Sequence, residues 1–347
     1  MMRYKHPIFS TLVFGLIVAL VHFSTLQATA QQEIQEELYQ RDSLIERVGQ
    51  NNIDTSYTYK WHEDSSRWEL YGRDLEFYRA NQKLLAVLKQ KWQPQQMSYI
   101  NEERTIKSYG REGKVVESLN QTWDGTQQEW VNLKLKTITY DGMGNKSEIL
   151  HQEWKRAVGR WISTTRYLID YNRMGEKSNV VIRTYHSPTD QWQNHQRFLF
   201  RYYDGYGHPD EALVQSWNSE RETWQKQGLY NMAYNFRGQK TSESRATWNT
   251  SLSKWINGIR YHFKYDKDHK IAQILQRWDY GSKQWYNAIR KRFKYNEKNK
   301  LQEELTYQWD QVNDKWVLEN RLLYSRKKPE ERASQDENAR KDSSESS

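Results

Sequence analysis

The chain has 347 residues, 53 Lys and Arg against 44 Asp and Glu for a formal charge of +9, and no cysteine, which excludes disulfides, thiolate metal sites and cysteine nucleophiles together. Apolar residues make up 36%, short of the ~45–50% of ordinary globular domains, so a large aliphatic core is excluded. Yet 16 Trp, 24 Tyr and 9 Phe are too many for a disordered chain, and any core is built from rings.

Residues 1–30 read as a secretory signal. Arg3 and Lys5 precede an apolar run from Ile8 to Val21, and Ala28-Thr29-Ala30 fits the small-x-small cleavage pattern before Gln31. The run is shorter than the ~20 residues that span a bilayer, so no transmembrane helix is expected after cleavage. The expected location is periplasm, cell surface or medium. Residues 31–54 are polar and acidic, with Ile34, Leu38, Ile45 and Val48 loosely spaced, which reads as a capping helix or a tether.

Residues 55–325 carry an internal repeat. Tryptophans stand seven apart at Trp61/Trp68, Trp123/Trp130, Trp154/Trp161, Trp217/Trp224, Trp248/Trp255, Trp278/Trp285 and Trp309/Trp316, while Trp92 pairs with Tyr99 and Tyr185 with Trp192. First members recur every 30 to 32 residues, the mark of stacked repeat units. Twelve residues after the first aromatic stands an arginine in seven of nine copies: Arg73, Arg104, Arg166, Arg197, Arg260, Arg290 and Arg321, with Leu135 and Leu229 in the other two. Seventeen residues after it stands a tyrosine in eight of nine, from Tyr78 to Tyr295. Four before it the side chain is usually aliphatic, as at Leu119, Leu150 and Ile274.

The period inside a copy is two. Simple alternation puts Trp255, Asn257, Ile259, Tyr261, Phe263 and Tyr265 on one face and Ile256, Gly258, Arg260, His262 and Lys264 on the other, as in a half-buried strand. Trp285 to Tyr295 repeats this, with Arg290, Arg292 and Lys294 on the polar side. Aromatics seven apart are expected directly opposite each other across a four-residue hairpin loop. That register sets Gln121 against Asn132, Gln276 against Asn287 and Ile274 against Ile289. It sets the seven arginines against Ser56, Val87, Ile149, Val180, Glu243, Gln273 and Glu304. The expected fold is all-β: nine 31-residue β-hairpin repeats, about 18 antiparallel strands, curled into a spiral, cylinder or roll because so wide a sheet does not stay flat and open. Residues 326–347 hold no aromatic and many Ser, Glu, Asp and Lys, and are expected to be disordered.

The turns Tyr140-Asp141-Gly142-Met143-Gly144-Asn145-Lys146 and Tyr171-Asn172-Arg173-Met174-Gly175-Glu176-Lys177 resemble those of YD (RHS-type) repeats. Over residues 61–325 the chain is closer still to Trp-rich β-hairpin repeats of uncharacterised exported bacterial proteins. It departs from YD repeats in its 31-residue period and its Trp pair. The resemblance implies a curled sheet of hairpins in a surface or secreted protein, and brings no catalytic residue with it.

The residues themselves argue against an enzyme. His62, His151, His186, His195, His208, His262 and His269 form no metalloprotease motif, no nucleophile elbow is present, and Asp141, Asp266 and Asp310 sit where turns favour Asp. No cofactor and no metal are expected. The nine near-identical aromatic pairs read as a structural ladder, although an indole can also stack a sugar; the deviating segments Lys155–Arg160 and Tyr203–Pro209 are better places for a specific contact. The arginine row is the candidate ligand site, because a line of cations attracts polyanions; the alternative is that Arg stems merely cover apolar sheet. The expected function is a non-catalytic exported envelope or surface scaffold binding a polysaccharide, an acidic glycan or an envelope protein, and export argues against nucleic acid. Two alternatives remain: an outer-membrane β-barrel, which needs an apolar outer band ~25 Å tall, and a glycan-active hydrolase on a β scaffold.

Overall fold

The computed structural model describes residues 53–62, 67–202, 207–297 and 299–325. The signal at 1–30, nearly all of the helix or tether at 31–54, part of the Tyr203–Pro209 segment and the tail at 326–347 lie outside the described residues.

In chain order the strands are β1 (Ile53–His62), β2 (Arg67–Tyr78), β3 (Leu84–Gln93), β4 (Ser98–Tyr109), β5 (Val115–Asp124), β6 (Glu129–Tyr140), β7 (Lys146–Lys155), β8 (Arg160–Tyr171) and β9 (Lys177–His186), then β10 (Gln191–Arg201), β11 (Glu211–Asn218), β12 (Thr223–Tyr234), β13 (Lys240–Asn249), β14 (Lys254–Asp266), β15 (His269–Asp279), β16 (Gln284–Tyr295), β17 (Leu301–Asp310) and β18 (Lys315–Ser325). The array thus opens at Ile53, two residues before the expected start, and ends at Ser325.

The chain divides into two compact units, residues 1–54 with Phe77–Ala86, and Thr55–Glu76 with Val87–Ser347. In the first, the described residues make a tight reversal in which the Arg79 N–H donates to the Lys83 carbonyl at 2.9 Å, with Gln82 at φ 62°. In the second, successive strands pair antiparallel in one sheet, and Tyr57–Lys60 of β1 pair with Leu322–Ser325 of β18. The eighteen strands therefore close into a barrel. Of spiral, cylinder and roll, the cylinder is realised, and closure removes the unpaired edges an open array would expose.

Sequence chemistry explains the hairpin turns. At the Trp end, the Asp124 carboxylate accepts the N–H groups of Thr126 and Gln127 at 3.0 and 3.1 Å. At the other end, Asp141 accepts those of Met143 and Asn145, and Gly144 takes φ +80°, a conformation that costs glycine nothing. Asn172 and Gly175 repeat this arrangement.

The register holds close to the Trp turn and then slips. Trp123 faces Trp130, Trp154 faces Trp161, Trp217 faces Trp224 and Trp309 faces Trp316, as expected. Gln121 faces Asn132 and Gln276 faces Asn287, also as expected. In each hairpin from β5 onward, however, a β-bulge falls ten residues after the first aromatic, at Gly258 in β14 and Ala288 in β16. A bulge sets two residues against one and switches which residues share a face. Hence Ile274 faces Arg290, not Ile289. Arg166, Arg197, Arg260 and Arg321 face Leu150, Val181, Ser244 and Leu305, one residue from the expected partners. The single aromatic face expected for Trp255–Tyr265 is likewise corrected: Arg260, His262 and Lys264 share the Trp face, and Ile259, Tyr261 and Phe263 lie on the opposite one. Buried side chains occur on both faces: Tyr57, Tyr59, Ile106 and Leu119 with the tryptophans, Ile138, Ala212 and Val214 opposite.

Candidate functional site

All nine aromatic pairs meet across their turns, from Trp61 with Trp68 to Trp309 with Trp316, with ring centroids 4.9 to 5.4 Å apart and planes inclined by 59° to 72°. Eight pack edge to face, the geometry that the positive edge and negative face of a ring favour, and Trp92 with Tyr99 is tilted at 59°. Tyr99 and Tyr185 fill their tryptophan-equivalent places.

Beside the rings runs a polar ladder. The Arg104 Nε–H donates to Gln121 at 2.6 Å, and the Gln121 amide donates to Asn132 at 2.8 Å. Arg73, Gln90 and Asn101 repeat the triplet, as do Arg260, Gln276 and Asn287. Arg197 donates to Gln215, whereas Arg166 grips both oxygens of Glu148 and Arg321 donates to Glu303. Glu148 raises the Arg166 pKa, and burial lowers those of Arg197, Arg260 and Arg290.

Each arginine of the row also lies over the second aromatic of the next copy. Arg73 stands 4.0 Å from the Tyr99 ring, Arg104 4.5 Å from Trp130, Arg166 5.8 Å from Trp192, Arg197 4.8 Å from Trp224, Arg260 4.6 Å from Trp285 and Arg290 4.8 Å from Trp316. Arg321, in the last copy, stands 4.8 Å from Trp68 in the first. The candidate ligand row and the Trp ladder thus form a single belt, and six of the seven arginines have a Gln or Glu acceptor within it. Burial pushes the Tyr99 hydroxyl up to about 12, against the opposing effect of Arg73.

At Trp161 the ring pair is kept while the arginine is not. Trp161 packs on Trp154 at 5.3 Å and 67° like any other pair, but the copy before it carries Leu135 where the belt needs arginine. Among the described residues no arginine of the row lies over Trp161, so this rung is held by its partner ring without the cation that covers Trp130 and Trp192. Leu229 interrupts the row a second time, before Trp255, and there Lys226 stands 4.4 Å from the first ring of that pair, Trp248.

The repeated tyrosine has an equally regular task. The hydroxyls of Tyr140, Tyr171, Tyr202, Tyr234, Tyr265 and Tyr295 each donate to the carbonyl 25 residues earlier, at 2.8 to 3.1 Å, latching neighbouring hairpins at the end remote from the tryptophans. On the face opposite the tryptophans, Arg245 lies between Tyr230 and Tyr261, 5.0 and 5.6 Å from their rings, and is held by Glu243 at 2.7 Å. Nothing in the repeat spacing announces this stack. Among the described residues, no group of three His, Asp or Glu could hold a metal, and no helix is long and apolar enough to cross a membrane. The Lys155–Arg160 segment makes a short 3₁₀ turn at Arg156–Val158, and Arg156 reaches Asp124 in the preceding copy at 3.0 Å.

No family model matches the chain, and no curated protein matches it. Among solved structures it is similar to a porin-like protein from Bacteroides uniformis (8% identity, 79% of this chain and 97% of that one, TM-score 0.37). It is similar to a protein of unknown function from Bacteroides fragilis (16% identity, 36% and 87%, TM-score 0.32). It also shares a likeness with a Tc holotoxin pore structure from Photorhabdus luminescens (10% identity, 73% and 19%, TM-score 0.24).

Proposed function

We propose that this chain is an exported, non-catalytic β-barrel of the cell envelope, with an outer-membrane position as the first reading. The observation that carries it is the seam between β1 and β18. Closure satisfies every strand edge, the condition a sheet must meet to sit in lipid, and a specific binding partner is not needed to explain it. Most strands have 10 to 12 residues, close to the ~9–11 that cross a bilayer when tilted. The Asp141-type turns and the likeness to exported hairpin repeats belong to the same proposal.

A barrel wetted on both faces is the second reading, favoured by mid-strand charge. Exposed Lys134 lies on the face opposite the tryptophans and exposed Lys264 and Arg292 on the Trp face, whereas a Lys or Arg in lipid costs about 2–4 kcal/mol at mid-bilayer. The test is fractionation of a Gram-negative host expressing the full chain. Recovery in the outer-membrane pellet through an alkaline carbonate wash, with release by detergent alone, supports the spanning barrel. Release without detergent overturns it in favour of the wetted barrel, and retention in the cytosol defeats both.

A further inference from the structure

We propose that the Trp face of β14, β15 and β16 is a binding trough for an acidic polysaccharide, an assignment that requires this face to be open to water, as the lumen of a spanning barrel or either face of a wetted one. The bulges at Gly258 and Ala288 bring two lines of basic side chains onto this face, Arg260, His262 and Lys264 from β14 and Arg290, Arg292 and Lys294 from β16. Members of a line are two residues apart, about 6.6 Å, and the lines are two strand spacings apart, about 9.6 Å. Between them the floor is formed by β15. His262, Ile274 and Arg290 make one row across the three strands, and Lys264, Ala272 and Arg292 the next. Long cationic side chains thus flank a floor of Ile274 and of Ala272, which is small. At one end the floor meets Gln276 and then Trp278, packed on Trp285 at 5.2 Å.

Two observations separate this surface from the structural belt. First, the fold does not require its charges. At the two positions that follow the belt arginine on the same face, the fourth copy carries Leu168 and Asp170, the fifth Leu199 and Arg201, and the sixth Asn231 and Ala233. Two added basic side chains occur together in the seventh copy, His262 and Lys264, and in the eighth, Arg292 and Lys294. Second, two of these charges, Lys264 and Arg292, are unspent. Lys294 is taken by Glu303 at 2.7 Å, but His262, Lys264, Arg290 and Arg292 face Ser242, Ile274, Ala272, Tyr307 and Leu305 across the strands, none of them acidic. Among the described residues, His262, Lys264 and Arg292 make no ion pair, and all three are exposed. Arg290 departs from the belt pattern as well. Tyr307 occupies the place where Gln276 meets Arg260, and the Arg290 guanidinium lies 4.6 Å from its ring as well as 4.8 Å from Trp316, while its buried Nε has no hydrogen-bond partner.

An extended chain of acidic sugars matches this layout. Ring faces can lie over Ile274 and Ala272, carboxylates or sulfates can reach cations on either side, and an indole pair closes one end. Single-stranded nucleic acid would call for rings along the whole track, on which successive bases stack. The test is titration of the purified full-length chain with polygalacturonate, followed by tryptophan fluorescence at low and high salt, with dextran as the neutral control. The triple variant His262→Gln, Lys264→Gln, Arg292→Gln is compared with Lys107→Gln, Lys134→Gln, Lys136→Gln on the opposite face. We expect salt-weakened binding to polygalacturonate and none to dextran. The trough variant should lose about tenfold or more, each exposed charge contact contributing a factor of a few, while the opposite-face variant binds as the parent does. Equal loss in both variants, equal binding of dextran, or no binding by the parent overturns the trough. Tighter binding of single-stranded DNA than of polygalacturonate overturns the glycan assignment.

Discussion

Replacing Arg104 by leucine isolates the belt's energetics, because leucine already stands at the same repeat position at Leu135 and Leu229. Arg104 is 9% exposed and Gln121 4%. The substitution removes a ring contact at 4.5 Å that contributes about 1–2 kcal/mol when mostly desolvated. It also strips the Gln121 oxygen of its 2.6 Å donor, and an unmet buried acceptor costs about 1–3 kcal/mol. Arg104→Leu should therefore destabilise by about 3 kcal/mol, or about 6–12 °C in Tm at about 2–4 °C per kcal/mol for a chain of this size class. The double variant Arg104→Leu, Gln121→Leu removes the orphaned acceptor too, and the half-buried Asn132 left behind can take water. It should be more stable than Arg104→Leu alone, a coupling of at least about 1 kcal/mol in a double-mutant cycle. Urea denaturation followed by tryptophan fluorescence measures all four corners. Additive costs, or a single variant as stable as the parent, would refute the belt as a coupled network.

Trp123→Ala should cost about 2–3 kcal/mol, less than full burial would give because the ring is half exposed, and Trp123→Phe clearly less, since it keeps an edge-to-face partner for Trp130; chemical denaturation separates the two. Tyr265→Phe removes the latch to the Lys240 carbonyl and should cost about 0.5–1.5 kcal/mol, read as faster amide exchange at that turn end. For Glu303, burial raises the pKa but hydrogen bonds from Lys294 and Arg321 outweigh it and leave it lowered. Its contribution is thus full above the unfolded value near ~4.3 and lost as pH falls through the folded one. Glu303→Gln should melt below the parent at neutral pH, and a gap that does not narrow in acid contradicts this assignment. A circular permutant that joins residues 53 and 325 and opens at the Asp141 turn should fold with the parent's tryptophan spectrum, because antiparallel pairing and the arginine-on-ring contact continue across the seam; an aggregated product would argue against that continuity.

The pairing of aromatics, the turn chemistry and the first half of each hairpin register could all be read from the sequence. The faces beyond the bulges could not. Bulge positions carry Leu133, Thr164, His195, Gln227, Gly258, Ala288 and Glu319, which share no chemistry. A second bulge near the start of the next incoming strand, as at Ser147 and Ile271, restores the phase. Two switches per copy cancel, so tryptophans return to one face with or without them, and their spacing is blind to both. The signal that could have exposed the first bulge is the arginine itself. It stands five residues from the second aromatic, an odd offset that alternation places on the opposite face, yet Arg73, Arg104 and Arg260 are each followed in the next copy by a glutamine and an asparagine at the places of Gln121 and Asn132, as partners on the same face would be. The uncovered ring of Trp161 was legible only in hindsight, since Leu135 matters to it only once the arginine is known to share its face.

A repeat tells its structural needs by what it keeps and leaves room for other roles where it varies. The belt arginine, the ring pair and the latch tyrosine recur because each serves a junction, and Arg321 on Trp68 extends that logic across the seam. An open array would leave the last arginine without a ring and the first ring without its cation, so the side chains and the backbone edges favour closure for the same reason. Of the added basic side chains, Lys294 joins Glu303 across the β16–β17 junction, whereas Lys264 and Arg292 belong to no junction. Clustered like charges in a sheet oppose one another: burial lowers the Arg290 pKa, and Arg292 beside it lowers it further. Such a cost, confined to adjacent copies and absent from the fourth and sixth, is what an anionic ligand would offset, since Glu303 answers Lys294 alone.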